Sequence, residues 1–311
     1  MDLSEGVIFP LTSGNAKIIF RKKSMRIILL TMAAVSLLIG QTRAQWTPGV
    51  YMRQATTRTL STAKLMESMS STLGFNNGLC FTGTLLKAHG GSSSITVHLT
   101  GGTKYVFVGG GDDDVSDIDI TISNSGGTAL ASDTKNDNFP IVEFTPSYSG
   151  AYTLKLLNYS YKLAFCALAV LEEGGVGLPV DNIDDAIDKI FKLCRNVNNE
   201  TTRRIWFLDE DNQWCFYGYV LGNSDDQTVN HIRLGGGIRY VMAAADGNAS
   251  DIDACIMNSS AEVAYHCDKE PDATPIVRYN SSEYSEYGIK LTDARSNGKT
   301  FVMACILKED N

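Results

Sequence analysis

Aspartates crowd two short stretches of this 311-residue chain. Asp112, Asp113, Asp114, Asp117 and Asp119 gather at the entry to one predicted strand, and Asp246, Asp251 and Asp253, joined by Asn248, repeat the arrangement more sparsely. Calcium takes about six to eight oxygen ligands, so a loop of carboxylates beside a rigid strand is a candidate site for it. In a strand, side chains two residues apart share a face, so Asp117 and Asp119 could address one ion. The candidate calcium ligands are therefore Asp112, Asp114, Asp117, Asp119, Asp246, Asp251 and Asp253, and calcium is the only cofactor the sequence raises. The competing reading is that these aspartates cap turns and accept backbone N–H bonds where loops enter a sheet. The run lacks the regular spacing of an EF-hand loop. Asp133 and Asp137, with Asp268 and Asp272, fall at the same predicted end of the two regions.

Other chemistry is scarce. The imidazoles are His89, His98, His231 and His266, none in an H-E-x-x-H motif, and no serine sits in G-x-S-x-G. Gly109-Gly110-Gly111 lacks the lysine and hydroxyl of a phosphate-binding loop and is read as a turn. No catalytic residue is assigned, and the chain is expected not to be an enzyme.

The elements that must position these residues occur twice. At an offset of about 135, Cys80-Phe81 returns as Cys215-Phe216, Gly83 as Gly218, and Tyr105-Val106 as Tyr240-Val241. Ser116-Asp117-Ile118-Asp119 returns as Ser250-Asp251-Ile252-Asp253, and Pro140-Ile141-Val142 as Pro275-Ile276-Val277. So many ordered matches identify an internal repeat. Each copy reads as short strands cut by Gly, Asn, Asp and Ser clusters, the pattern of an all-β sandwich. A helix is expected ahead of each copy. Ile183, Ala186, Ile187, Ile190, Phe191 and Cys194 form one apolar face with Asp181 as N-cap, and residues 60–73, with Leu65, Met69 and Leu73, form a weaker counterpart.

Seven cysteines lie beyond residue 44. Cys80 opens the first strand of its copy and Cys166 lies in the last, with Cys215 and Cys305 in matching places. First and last strands of a sandwich are commonly neighbours, so disulfides Cys80–Cys166 and Cys215–Cys305 are expected. Cys255 and Cys267 flank a turn and could join two adjacent strands. Cys194 is left as a buried, inert thiol.

Disulfides suit an exported chain. The apolar run 27–39 follows Arg21-Lys22-Lys23 and Arg26, and small residues Thr42 and Ala44 follow it, so a secretory signal cleaved after Ala44 is expected. The run is shorter than the ~20 residues needed to span a bilayer, so no anchor is expected after cleavage. Met25 is an alternative start. Residues 1–44 hold six basic and two acidic side chains, so without them the net charge moves from −8 to about −12. That balance excludes a nucleic-acid partner, whose phosphates need clustered Lys and Arg.

The repeated residues resemble the bacterial pre-peptidase C-terminal (PPC) domain, a jelly-roll-like sandwich often appended to secreted peptidases. The first copy carries the resemblance in Tyr105, Asp117-Ile118-Asp119-Ile120, Asn124-Ser125-Gly126, Pro140, Val142, Phe144, Pro146 and Gly150-Ala151-Tyr152, covering most of 80–171. The second copy has Ser285 and Ser281 where the pattern has glycine and proline. The resemblance implies an accessory role outside the cell, and some relatives bind collagen or calcium.

The expected organisation is an upstream extension (1–24), a signal peptide (25–44), a first short helix plus jelly-roll-like sandwich (45–173), a linker (174–180) through Gly174-Gly175-Val176-Gly177, and a second helix plus sandwich (181–311). The expected function is an exported, non-enzymatic binding or accessory protein engaging a carbohydrate, matrix polymer or protein surface. The alternatives are an adhesive envelope protein with the repeats as spacers, and a cryptic hydrolase. Tyr159, Tyr161, Tyr217, Tyr219, Tyr284 and Tyr287 supply aromatics for an exposed binding face.

Overall fold

Every strand pairing made by the first half of the chain is made again by the second. The computed structural model describes residues 46–310, so the predicted signal segment lies outside the described residues. The first half runs α1 (Thr47–Ser68), β1 (Leu73–Phe75), β2 (Gly78–Leu86), β3 (Gly91–Leu99), β4 (Tyr105–Gly111), β5 (Ile118–Asn124), β6 (Ala129–Asp133), β7 (Ile141–Phe144), β8 (Gly150–Asn158) and β9 (Ala164–Glu173). The second runs α2 (Val180–Glu200), β10 (Ile205–Phe207), β11 (Phe216–Leu221), β12 (Asp226–Arg233), β13 (Gly237–Ala245), β14 (Ala249–Asn258), β15 (Ala264–Asp268), β16 (Ile276–Ser281), β17 (Glu286–Ser296) and β18 (Thr300–Glu309). The fold is all-β, and among the described residues two helices of 22 and 21 residues accompany the strands, longer than the short ones expected.

The outer sheets are β3-β8-β5-β6 and β12-β17-β14-β15. The inner sheets are one sheet. Its ten strands follow the order β16-β13-β18-β11-β2-β9-β4-β7, with β1 added beside β9 and β10 beside β18. The two copies therefore share a continuous sheet through the antiparallel pair β2 and β11.

The repeat explains that seam. Phe81 lies opposite Gly218, Thr82 opposite Tyr217, and Gly83 opposite Phe216, so each copy offers the other the same Phe-x-Gly strand. A Cβ on Gly218 would sit 2.8 Å from the Phe81 Cβ, and one on Gly83 would sit 3.3 Å from the Phe216 Cβ. Each glycine leaves room for the ring across the axis. The Cys80 thiol donates to the Gly218 carbonyl (3.5 Å) and the Cys215 thiol to the Gly83 carbonyl (3.6 Å), a second reciprocal pair. Phe81 and Phe216 pack edge to face at 6.2 Å and are fully buried. Truncating either would cost about 3–5 kcal/mol.

The helices cover one face of the large sheet and the outer sheets the other. Gly109-Gly110-Gly111, expected as a turn, is the end of buried strand β4. A Cβ on Gly110 would strike Thr59 of α1 at 2.4 Å, whereas one on Gly109 would meet Ile120 of β5 at 3.2 Å on the opposite face. Glycine here lets a helix and a sheet close on the strand from both sides. This contact also explains why α1 starts earlier than the stripe of Leu65 and Met69 indicated. Those two are exposed, and the buried face is Met52, Ala55, Thr56, Thr59, Leu60 and Ala63, of which the small Ala55, Thr56, Thr59 and Ala63 suit the close approach. Pro48 fits its first turn. In α2 the expected apolar face is buried, but Pro179 takes the N-cap position and Asp181 lies in the first turn, where its charge meets the helix dipole. The linker is tied down as well, since Val176 bridges to Phe75.

Candidate functional site

The acidic corners are built into the backbone. Asp112 is buried and accepts the N–H of Phe165 (2.9 Å) and of Asp114 (3.0 Å), clasping the end of β4 to the start of β9. Asp246 does the same in the second copy, accepting from Phe301 N–H (3.0 Å) and Asn248 N–H (2.9 Å), and adds Asn182 (2.8 Å) and the Thr300 hydroxyl (2.6 Å). Burial raises the pKa of Asp112 despite its two backbone donors. Asp133 accepts from Ile141 N–H (3.1 Å), as Asp268 accepts from Ile276 N–H (2.8 Å). Asp137 and Asp272 each accept the N–H two residues on. These aspartates are turn caps.

The remaining expected ligands disperse or pair. Asp114 binds Lys162 (2.6 Å), Asp113 binds Arg58 of α1, and Asp251 lies 3.7 Å from Arg295. Asp117 and Asp119 stay close. Burial, with the charges of Asp117, Asp133 and Asp137, pushes Asp119 up to about 6. Burial and Asp251 likewise raise Asp253. Among the described residues no three Asp, Glu, His or Cys side chains form a group that could hold a metal ion.

The cysteine expectations are partly overturned. Cys255 and Cys267 face each other across β14 and β15 and form a disulfide. Cys80, Cys166, Cys215 and Cys305 are free and buried, so the pairs Cys80–Cys166 and Cys215–Cys305 are not formed. Cys166 lies opposite Thr84, four residues along β2 from Cys80, about 13 Å away at strand rise. Cys305 lies opposite Phe216, so its neighbour Cys215 projects to the other face. Cys166 and Cys305 are not counterparts in the repeat. The residue matching Cys305 is Ala169, which faces Phe81 as Cys305 faces Phe216. Burial raises the pKa of all four thiols, which removes them as nucleophiles.

The tyrosines divide. Tyr217, Tyr219 and Tyr287 are core, whereas Tyr159, Tyr161 and Tyr284 are exposed, Tyr161 at 85%. Tyr161 packs edge-on against His89 (5.4 Å), and Tyr159 reaches the β2–β3 turn at Gly90. Leu163, also exposed, continues this patch into a cleft of about 430 Å³ between the two copies. The first copy contributes Lys87, Ser92 and Ser93 to the cleft, and the second contributes Trp206, Asp211 and Asn212.

That cleft exists because the second copy carries a loop the first lacks. Between β1 and β2 stand only Asn76 and Asn77, but between β10 and β11 stand residues 208–215. The longer loop crosses to the first copy's sandwich. Gln213 carbonyl accepts from Thr84 (2.7 Å) and Ser93 (3.3 Å), Asn212 Oδ1 accepts from Ser94 N–H (3.0 Å), and Trp214 Nε1 donates to Ser94 carbonyl (2.9 Å). Lys87 and Asp211 pair across the opening at 2.6 Å. Trp206, Asp211 and Asn212 were not singled out from the sequence. The signal was the polar run Asp209-Glu210-Asp211-Asn212-Gln213, which has no counterpart ahead of Cys80.

No protein-family model and no curated protein matches the chain. Solved structures found as distant likenesses include the PBSX exported protein XepA, at 13% identity over 74% of this chain and 85% of that one, with a TM-score of 0.25. Others are the CBM22-1–CBM22-2 tandem of Paenibacillus barcinonensis Xyn10C (8%, 78% and 94%, TM-score 0.22) and the major capsid protein P2 of bacteriophage PM2 (10%, 75% and 98%, TM-score 0.23). Likenesses this distant carry no functional argument. No helix among the described residues is long and apolar enough to cross a membrane.

Proposed function

We propose that this chain is an exported, non-enzymatic binding protein that engages a carbohydrate outside the cytoplasm through the cleft between its two copies. The observation that carries this reading is the one-sided loop. It spoils the symmetry of the seam to build a cleft lined by Trp206 and the exposed Leu163, and the exposed Tyr159 and Tyr161 precede Leu163 in the same β8–β9 connection. Flat aromatic faces suit the apolar side of a sugar ring, and Asp211, Asn212, Ser92 and Lys87 offer acceptors and donors for hydroxyls. Clustered exposed aromatics distinguish a binding face from a uniformly polar spacer. A spacer role also asks for copies joined by a linker alone, whereas these share a sheet. The Cys255–Cys267 disulfide supports an oxidising compartment.

Affinity electrophoresis against a panel of soluble polysaccharides tests this. At least one glycan should retard the protein, and Trp206→Ala should weaken that retardation at least tenfold with an unchanged melting temperature. Migration unaffected by every glycan, or a Trp206→Ala variant that binds like the parent, would overturn the assignment.

A further inference from the structure

We propose that Cys194 and Cys305 form a second disulfide, which bolts α2 to the ten-stranded sheet when the chain folds under oxidising conditions. The two sulfurs lie 3.5 Å apart, the one thiol–thiol contact among the described residues, and both side chains are fully buried. They join elements distant in sequence. Cys194 is on the inward face of α2, one turn beyond Phe191, and Phe191 stacks on Phe216 directly beside Cys305 in the sheet. The neighbouring rings hold the helix at the height that brings the sulfurs together. A bridge needs them to approach to about 2.05 Å, a movement within the reach of side-chain rotation and a small helix shift. The pairing also accounts for the cysteine inventory. With Cys255–Cys267 it leaves Cys80, Cys166 and Cys215, each sealed in the core.

The reaction is thiol–disulfide exchange. One thiolate of the pair attacks a disulfide oxidant, giving a mixed disulfide and releasing one thiol. The second thiolate then displaces the other thiol, so the S–S bond gained here matches the one broken in the oxidant, and the two protons leave with its sulfurs. Neither sulfur can meet an oxidant in the fully folded protein, so one of them takes up the mixed disulfide while α2 is still undocked and docking brings the second to displace it and close the bond. Afterwards it is shielded, unlike Cys255–Cys267, whose Cys267 is half-exposed.

Refolding the protein in a glutathione redox buffer, alkylating it in denaturant without reduction, and mapping its peptides reads the result. The expected products are a 194–305 linked peptide beside the 255–267 one, with the other three cysteines alkylated. Mild dithiol applied to the native protein should open 255–267 while leaving 194–305 intact. In a Cys255→Ser/Cys267→Ser background, full reduction should lower the melting temperature by several degrees, and adding Cys194→Ser should abolish that redox dependence. Alkylation of both Cys194 and Cys305 after oxidative refolding, or a peptide linking Cys305 to Cys215, would overturn the proposal.

Discussion

The two copies share every strand pairing yet spend their connections differently. Where the first copy turns from β1 to β2 through two asparagines, the second inserts residues 208–215 and lays them against its partner's outer sheet. The core tolerates little, because each position answers to a neighbour across the pseudo-twofold axis. The loops answer to fewer partners, so asymmetry accumulates there and brings a cleft with it. The comparison also runs through individual side chains. Asn158 of β8 and Asp293 of β17 occupy the same place, opposite Ile118 and Ile252. Asn158 donates to the carbonyls of Leu86 and Lys162 and accepts from Ser160 N–H, whereas the buried carboxylate of Asp293 meets only weak approaches from the Ser296 side chain and the Arg295 backbone.

The largest expected effect separates the two clasps. Removing the Asp246 carboxylate leaves four donors unmet, so Asp246→Ala should cost about 3–5 kcal/mol in urea unfolding. Asp112→Ala should cost about 1–3 kcal/mol, since only two backbone amides lose their acceptor. Equal losses would mean that the copies use their clasps alike. The seam should divide next. Gly218→Ala meets the Phe81 Cβ at 2.8 Å and should destabilise by about 1–3 kcal/mol, more than Gly83→Ala, where the flexible Met52 shares the contact at 3.3 Å.

Importing the first copy's solution into the second should stabilise it. Asp293→Asn is expected to raise unfolding free energy by about 1–2 kcal/mol at neutral pH, because a neutral amide costs less to desolvate than a weakly partnered carboxylate. Burial raises the pKa of Asp293, so the cost of its charge is relieved as pH falls and the advantage of asparagine should shrink with it. The smallest effect concerns Asp119. Its folded pKa of about 6 exceeds the ordinary 3.8, so the folded state holds more protons between these values and stability from this group falls as pH rises through that window. A melting curve series from pH 4 to 7 should show that slope in the parent and a flatter one in Asp119→Asn.

Much of the architecture was legible in the residues. Ordered matches such as Asp117-Ile118-Asp119 with Asp251-Ile252-Asp253 disclosed the repeat, and alternation disclosed the strands. What escaped was whatever depends on contact between copies. Phe81-Thr82-Gly83 reads as any strand until Phe216-Tyr217-Gly218 lies against it. The inward face of α1 was hidden because alanines and threonines separate its two large apolar residues, Met52 and Leu60, and carry little hydrophobic signal. Cysteine identity misled where register decides, placing Cys166 opposite Thr84 and leaving Ala169 as the true counterpart of Cys305. The acidic corners were found, yet spacing alone could not separate an ion's ligands from acceptors for backbone amides. The cleft needed a residue run to be compared with its absence in the other copy.

The reciprocal meeting of β2 and β11 has the form of a symmetric homodimer contact, in which one surface binds its own likeness. Written into a single polypeptide, that contact no longer obeys mass action, so dilution cannot part the halves. It also frees the halves from being identical. A true dimer would have to display two copies of any loop, whereas this chain can carry a long loop on one flank without repeating it on the other.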